Sequence, residues 1–206
     1  LTVAQRGLLE TVLRSEYAPH LPPLLKPKTP ADDAVKNLSR ALAAFVVSAL
    51  CDVSPREAAD AVVDDYDDFG LDAVYYHGAS GTLYLVQGKL KAGSMFEQSE
   101  ANAFVQGIRK LIAQDFTGLN SHVTSRQTAI EDAVASCVTI ALVVAHVGAG
   151  ISHHGQVALQ QLLDDETHAE ERIAPLVIDF DADRIVHHLQ QGQAYPRVDA
   201  TIVLKS

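Results

Sequence analysis

Asp72, Gln87, Gly88 and Lys89 are the residues of this chain whose types and spacing could do chemistry together. They fall in the stretch Val63 to Lys91, VDDYDDFGLDAVYYHGASGTLYLVQGKLK, which reads as an acidic turn followed by a β-hairpin. Leu71 to Tyr76 form the first strand and His77 to Gly81 a Gly/Ser-rich return. Thr82 to Val86 form the second strand, which runs on through Gln87, Lys89 and Lys91. Side chains alternate across a strand, so these three polar residues share a face with Leu83 and Leu85, while Tyr84, Val86 and Leu90 point the other way. Asp72, at the start of one strand, then faces Gln87 and Lys89 at the end of its partner. Hydrolysis of a phosphodiester asks for such a set. A carboxylate and one or two further oxygens hold a divalent cation, with positions left for water and phosphate. An ammonium group positions the attacking water and offsets charge building on the phosphoryl oxygens. Asp72 offers the carboxylate, the Gln87 side chain and the Gly88 carbonyl offer oxygens, and Lys89 the positive charge. Gly88 also lets the backbone approach closely. Lys91, one step further along the same face, is a candidate phosphate contact. The alternative for these residues is an exposed hairpin end carrying a surface salt bridge.

The elements that must position this set follow from periodicity and punctuation. Residues 3–17 carry Val3, Leu8, Leu9, Val12 and Leu13 at helical spacing. Residues 18–31 hold four prolines and predict an extended connector. Thr29-Pro30 with Asp32 and Asp33 opens a long helix to about Leu50, and Ser54-Pro55-x-Glu57 opens another over roughly 55–64. After the hairpin, residues 97–115 predict an amphipathic helix and 124–136 a further one. Residues 137–146 predict a strand, 154–167 a helix, 174–180 a strand, 181–190 a short helix and 198–204 a last strand. This order implies an α/β layer fold: a mixed β-sheet flanked by helices, with residues 1–31 as an N-terminal helical extension and 32–206 as the main domain.

With 206 residues, 48% of them hydrophobic, the chain can bury one sizeable core. Its longest apolar run, Cys137 to Val147, is too short to cross a membrane as a helix and reads as a buried strand. Cys51 and Cys137 show no metal-ligand spacing and read as core residues in a reducing cytoplasm. The first residues show no signal-peptide pattern. The chain is expected to be the N-terminal part of a longer protein. A net charge of −10 counts weakly against a duplex-binding module, because grip on nucleic acid comes from Lys and Arg at phosphates. His153-His154, His168 and His187-His188 lack the spacing of a metal site, and Gly148-Ala149-Gly150 lacks the residues of a phosphate cradle and reads as a turn.

The pattern Asp72, fourteen residues, Gln87-x-Lys89 across a hairpin resembles the PD-(D/E)xK nuclease superfamily, the restriction-endonuclease-like fold. The fuller stretch, an acidic lead-in, Phe69-Gly70-Leu71-Asp72-Ala73, a tyrosine-rich strand and Leu83-Tyr84-Leu85-Val86-Gln87-Gly88-Lys89, resembles the amino-terminal domain of the abortive-infection phage-resistance (AIPR) proteins. That resemblance implies Asp72 as metal ligand, Gln87 at the second ligand position and Lys89 as catalytic lysine. It implies Mg²⁺ or Mn²⁺ as cofactor, nucleic acid (DNA first) as substrate and a role in anti-phage defence. Many relatives place a Glu on the helix before the first strand. Ala41 to Phe45 contains none, which leaves Glu57, Asp65 or Asp68 to supply a further acid. Cutting both strands of a duplex commonly needs two sites, so a homodimer or higher oligomer is compatible with this reading. Its alternative is a catalytically silent domain of the same fold that serves in binding or assembly.

Overall fold

The computed structural model describes residues 1–169 and 176–192. Thr2 caps helix α1 (Val3–Val12) with a reciprocal capping box to Gln5. The expected single helix then changes character, passing through a π-turn at Leu13–Tyr17 and a 3₁₀ turn at Ala18–His20, where Pro19 cannot continue an α ladder. The proline-rich connector leads to α2 (Pro30–Cys51), whose Thr29 cap accepts from the Asp32 N–H as its sequence predicts. Among the described residues α2 is the one helix long and apolar enough to cross a membrane, and here Leu38 to Ser48 are buried in the core except Ser39. Helix α3 (Pro55–Asp60) stops four residues before the predicted end. Val62 instead bridges Ala73 antiparallel, adding a minimal extra strand to the sheet.

The hairpin is β1 (Ala73–His77) and β2 (Thr82–Lys89), antiparallel with Ala73 opposite Val86 and Tyr76 opposite Leu83. Helices α4 (Gln98–Ile112), α5 (Ser121–Thr124) and α6 (Gln127–Ser136) lead to β3 (Thr139–His146), which lies parallel to β2 with Lys89 beside His146. Then follow α7 (His153–Ala169), β4 (Leu176–Phe180), parallel to β3, and α8 (Ala182–Gly192). The result is a four-stranded mixed sheet in the order β1-β2-β3-β4, flanked by helices, with an N-terminal helical layer. The strand expected at 198–204 lies outside the described residues, as do residues 174–175 of the one expected at 174–180.

Two apolar layers hold the sheet. Ala73, Val86, Ala141, Val143 and Ala145 meet α1, α2, α3 and α8 on one face. Val74, Leu83, Leu85, Ile140, Leu142 and Val144 meet α4, α6 and α7 on the other. Strict alternation along β2 and β3 therefore sorts the strands between both layers, as expected of strands covered on both sides.

Candidate functional site: an acidic centre at the hairpin

Residues 64–70 form a tight turn between the Val62 bridge and β1. Asp67, Phe69 and Gly70 have φ of 55°, 53° and 75°. A left-handed Phe is uncommon, and such conformations cost of order 1–3 kcal/mol unless the surroundings impose them. Here they do. The Asp68 carboxylate accepts from the N–H groups of Gly70 (2.8 Å) and Asp65 (3.2 Å). Asn120 donates from its backbone to the Asp67 carbonyl and from its side-chain amide to the Val63 carbonyl. A Cβ on Gly70 would lie 3.0 Å from the Phe104 backbone nitrogen and 3.1 Å from Gln87 Nε2, so this corner is closely packed against α4 and β2.

The turn gathers three carboxylates. Asp64, Asp68 and Asp72 present ligand oxygens that all lie within 4.8 Å of one another. Asp72 is 8% exposed, and its Oδ2 accepts from the Gly88 N–H at 2.7 Å, which fastens the first strand to the end of the second. Burial, the Asp64 charge and then the Asp68 charge push the Asp72 carboxyl well above the ordinary range, against the Gly88 hydrogen bond. Burial and neighbouring Asp68 push Asp64 up to about 6. Asp68 is raised too, chiefly by burial. Three hard oxygen donors that resist ionising together fit an Mg²⁺- or Mn²⁺-sized dication, which would relieve their repulsion and take their charge. Exposed acidic groups gather without such an ion, so the burial of Asp72 and the displaced protonation of all three matter more than the count.

Helix α2 frames this centre. Lys36 Nζ pairs with Asp65 Oδ1 at 2.8 Å, and its charge lowers the proton affinity of Asp64, Asp68 and Asp72 alike. Burial opposes ionisation of Asp65, but hydrogen bonds from Lys36 and from the N–H groups of Leu25 and Tyr66 outweigh it and hold that carboxyl below its usual range. Arg40, 0% exposed, donates from Nε to the Asp64 carbonyl and from Nη1 to the Pro22 carbonyl and Asn37 Oδ1, each at 2.9 Å. One buried guanidinium thus ties the proline connector, α2 and the acidic turn together.

The residues singled out from the sequence are distributed as follows. Asp72 and Asp68 are in the centre. Gln87 lies beside Gly70, with its buried Oε1 lacking any hydrogen-bond partner among the described residues. Gly88 takes part through its N–H, and a Cβ there would meet Asp72 Oδ2 at an ordinary 3.4 Å. Lys89 forms its ion pair with Glu100 of α4 and donates to the Met95 carbonyl; it makes no ion pair with Asp72. Lys91 is exposed beyond the strand end. Asp65 belongs to Lys36, and Glu57 accepts from the Tyr75 hydroxyl at 2.7 Å, apart from the centre. Sequence reasoning passed over Asp64, Lys36, Arg40 and Asn120. The run of acids carried a signal for Asp64; the two α2 cations and the capping Asn carried none, since only the tertiary fold brings them here. Comparison with protein-family models, with curated proteins and with solved structures found no match.

Proposed function

We propose that this chain is a divalent-cation-dependent phosphodiesterase of restriction-endonuclease-like architecture, acting on nucleic acid, DNA in the first instance. The observation that carries the reading is the convergence of the Asp64, Asp68 and Asp72 carboxylates at the start of the hairpin that also bears Gln87 and Lys89. The order of elements, a long helix, an antiparallel hairpin, helices and a strand parallel to the second hairpin strand, is compatible with that architecture. Asp64, Asp68 and Asp72 would hold Mg²⁺ or Mn²⁺, and the unpartnered Gln87 Oε1 is a further oxygen within the same corner. The cation would supply Lewis acidity toward a phosphoryl oxygen and a bound water of lowered pKa. The chain's own part is to fix these oxygens through the Gly88 and Gly70 N–H groups, and to bring the Lys36 ammonium alongside as a positive charge. Lys89 can serve a phosphate only after leaving Glu100. Anti-phage defence, a cytoplasmic setting and assembly into a dimer or higher oligomer complete the proposal and rest on the resemblance of residues 64–91 alone.

The engagement of Lys89 by Glu100 favours a second reading, a catalytically silent domain of the same architecture used for binding or assembly. Cleavage of plasmid, single-stranded DNA and RNA with Mg²⁺ or Mn²⁺ separates the two. Activity in the parent that is lost in Asp72→Ala and Lys89→Ala, with folding intact, establishes the phosphodiesterase and its substrate. Activity untouched by both substitutions overturns the assignment. An inactive parent with intact metal binding selects the silent domain.

A further inference from the structure

Strands β2, β3 and β4 are parallel, so their carboxyl ends lie along one edge of the sheet. The chain leaves β3 for α7, which packs with α4 on one face, and leaves β4 for α8, which packs with α2 on the other. His188 of α8 stacks edge-on against Phe45 of α2, with ring centroids 5.3 Å apart. Where adjacent parallel strands send their helices to opposite faces, the two following loops part and leave a crevice, the usual place for a ligand in an open α/β sheet. A cavity of about 300 Å³ sits there, lined by His146, the Gly148-Ala149-Gly150 loop, Asp179, Asp181 and Asp183.

Its floor is a buried dyad. His146 is 3% exposed, and its Nε2 lies 2.8 Å from Asp179 Oδ1, while its Nδ1 has no hydrogen-bond partner among the described residues. Asp181 accepts from the N–H groups of Asp183 and Arg184 and so starts α8, leaving its other oxygen and the Asp183 carboxylate uncommitted by any printed hydrogen bond toward the rim. No Lys or Arg lines the cavity. Three carboxylates around an imidazole whose ring nitrogen lacks a partner make a site for N–H donors carrying positive charge. The low end of the small-ligand size range matches its volume. The backbone is closed on the β2 side, because a Cβ on Gly148 would fall 2.0 Å from the Ser94 carbonyl oxygen.

We propose that this crevice binds a small organic cation, a primary amine or guanidinium, seated on Asp179 and Asp183 above His146. It is separate from the acidic centre and independent of the phosphodiesterase reading. Titration calorimetry with agmatine, which carries both cationic groups, tests it on the full chain in EDTA, so that no divalent cation competes. The expected result is one saturable site per chain, weakened at least tenfold by Asp183→Asn at the rim and by Asp179→Asn at the floor, and unchanged by Asp72→Asn. Asp183→Asn alters a half-exposed side chain of the first turn and leaves the core intact, so a folding failure of the Asp179 variant does not blunt the test. Absence of binding, binding equal in all variants, binding lost with Asp72→Asn, or uptake of Zn²⁺ with no uptake of agmatine would each overturn the proposal.

Discussion

Asp72→Asn is the sharpest probe of the acidic centre. Asp64, Asp68 and Asp72 all hold protons more tightly in the folded chain than their ordinary values. The folded state therefore binds more protons than the unfolded one above about pH 4, and the contribution of these groups to stability is complete below that pH and lost as pH rises through their folded values. For Asp64 that window runs from 3.8 to about 6. One pKa unit corresponds to about 1.4 kcal/mol, so the Asp64 displacement alone represents about 3 kcal/mol of destabilisation at pH 8 without a cation. Asn at position 72 keeps an acceptor for the Gly88 N–H and removes one of the three charges. The expected outcome at pH 8 in EDTA is a variant more stable than the parent by about 2 kcal/mol, roughly 4–8 °C in Tm for a chain of this size. Saturating Mg²⁺ at a hundredfold excess over its Kd stabilises the parent by about 2.7 kcal/mol; the variant should gain little. Thermal melts by circular dichroism, with and without Mg²⁺ at pH 5 and pH 8, read both effects. A variant no more stable than the parent in EDTA, or one that Mg²⁺ stabilises as much as the parent, refutes the reasoning.

Three further expectations follow from the frame around the centre. Arg40→Met removes a fully buried guanidinium that serves three acceptors and should destabilise the fold by about 3–5 kcal/mol in urea denaturation, with the connector at Pro22 becoming protease-sensitive. Asn120→Ala deletes the α5 cap and the side-chain bond to the Val63 carbonyl; a loss of about 2–3 kcal/mol is expected, with weaker Mg²⁺-induced stabilisation because the 64–70 turn loses its brace. Gln114, just past the end of α4, has φ 54°, a position where Gly is unstrained, so Gln114→Gly should raise stability by about 1 kcal/mol in the same denaturation assay.

What could be read from the sequence follows from how local each signal is. The alternation in Thr82 to Lys89 already places Gln87 and Lys89 with Leu83 and Leu85, and the observed register pairs Ala73 with Val86 as that pattern requires. Thr29-Pro30 and Ser54-Pro55 mark helix starts because a cap acts within three residues. Position 62 misled for the same reason: Ala61 and Val62 suit a helix, but pairing of Val62 with Ala73 decides the matter from eleven residues away. Lys89 is harder still. Both Asp72 and Glu100 are plausible partners in sequence, and the choice of Glu100 depends on how α4 packs over the end of β2. Lys36 and Arg40 reach the centre across 24 to 29 residues, and nothing in their neighbours announces it.

The acidic centre is also unusual in how little chain it uses. Asp64, Asp68 and Asp72 span nine residues, and the Gly88 N–H that anchors Asp72 is only sixteen further on, across a tight hairpin. Contacts of such short range close early, because little loop entropy opposes them, whereas the parallel pairing of β2, β3 and β4 must wait for long connections to order. An ion captured by the turn would therefore act on a nascent hairpin as well as on the finished domain. It would speed folding by supporting the segment that forms first, and would slow unfolding less than its equilibrium effect suggests.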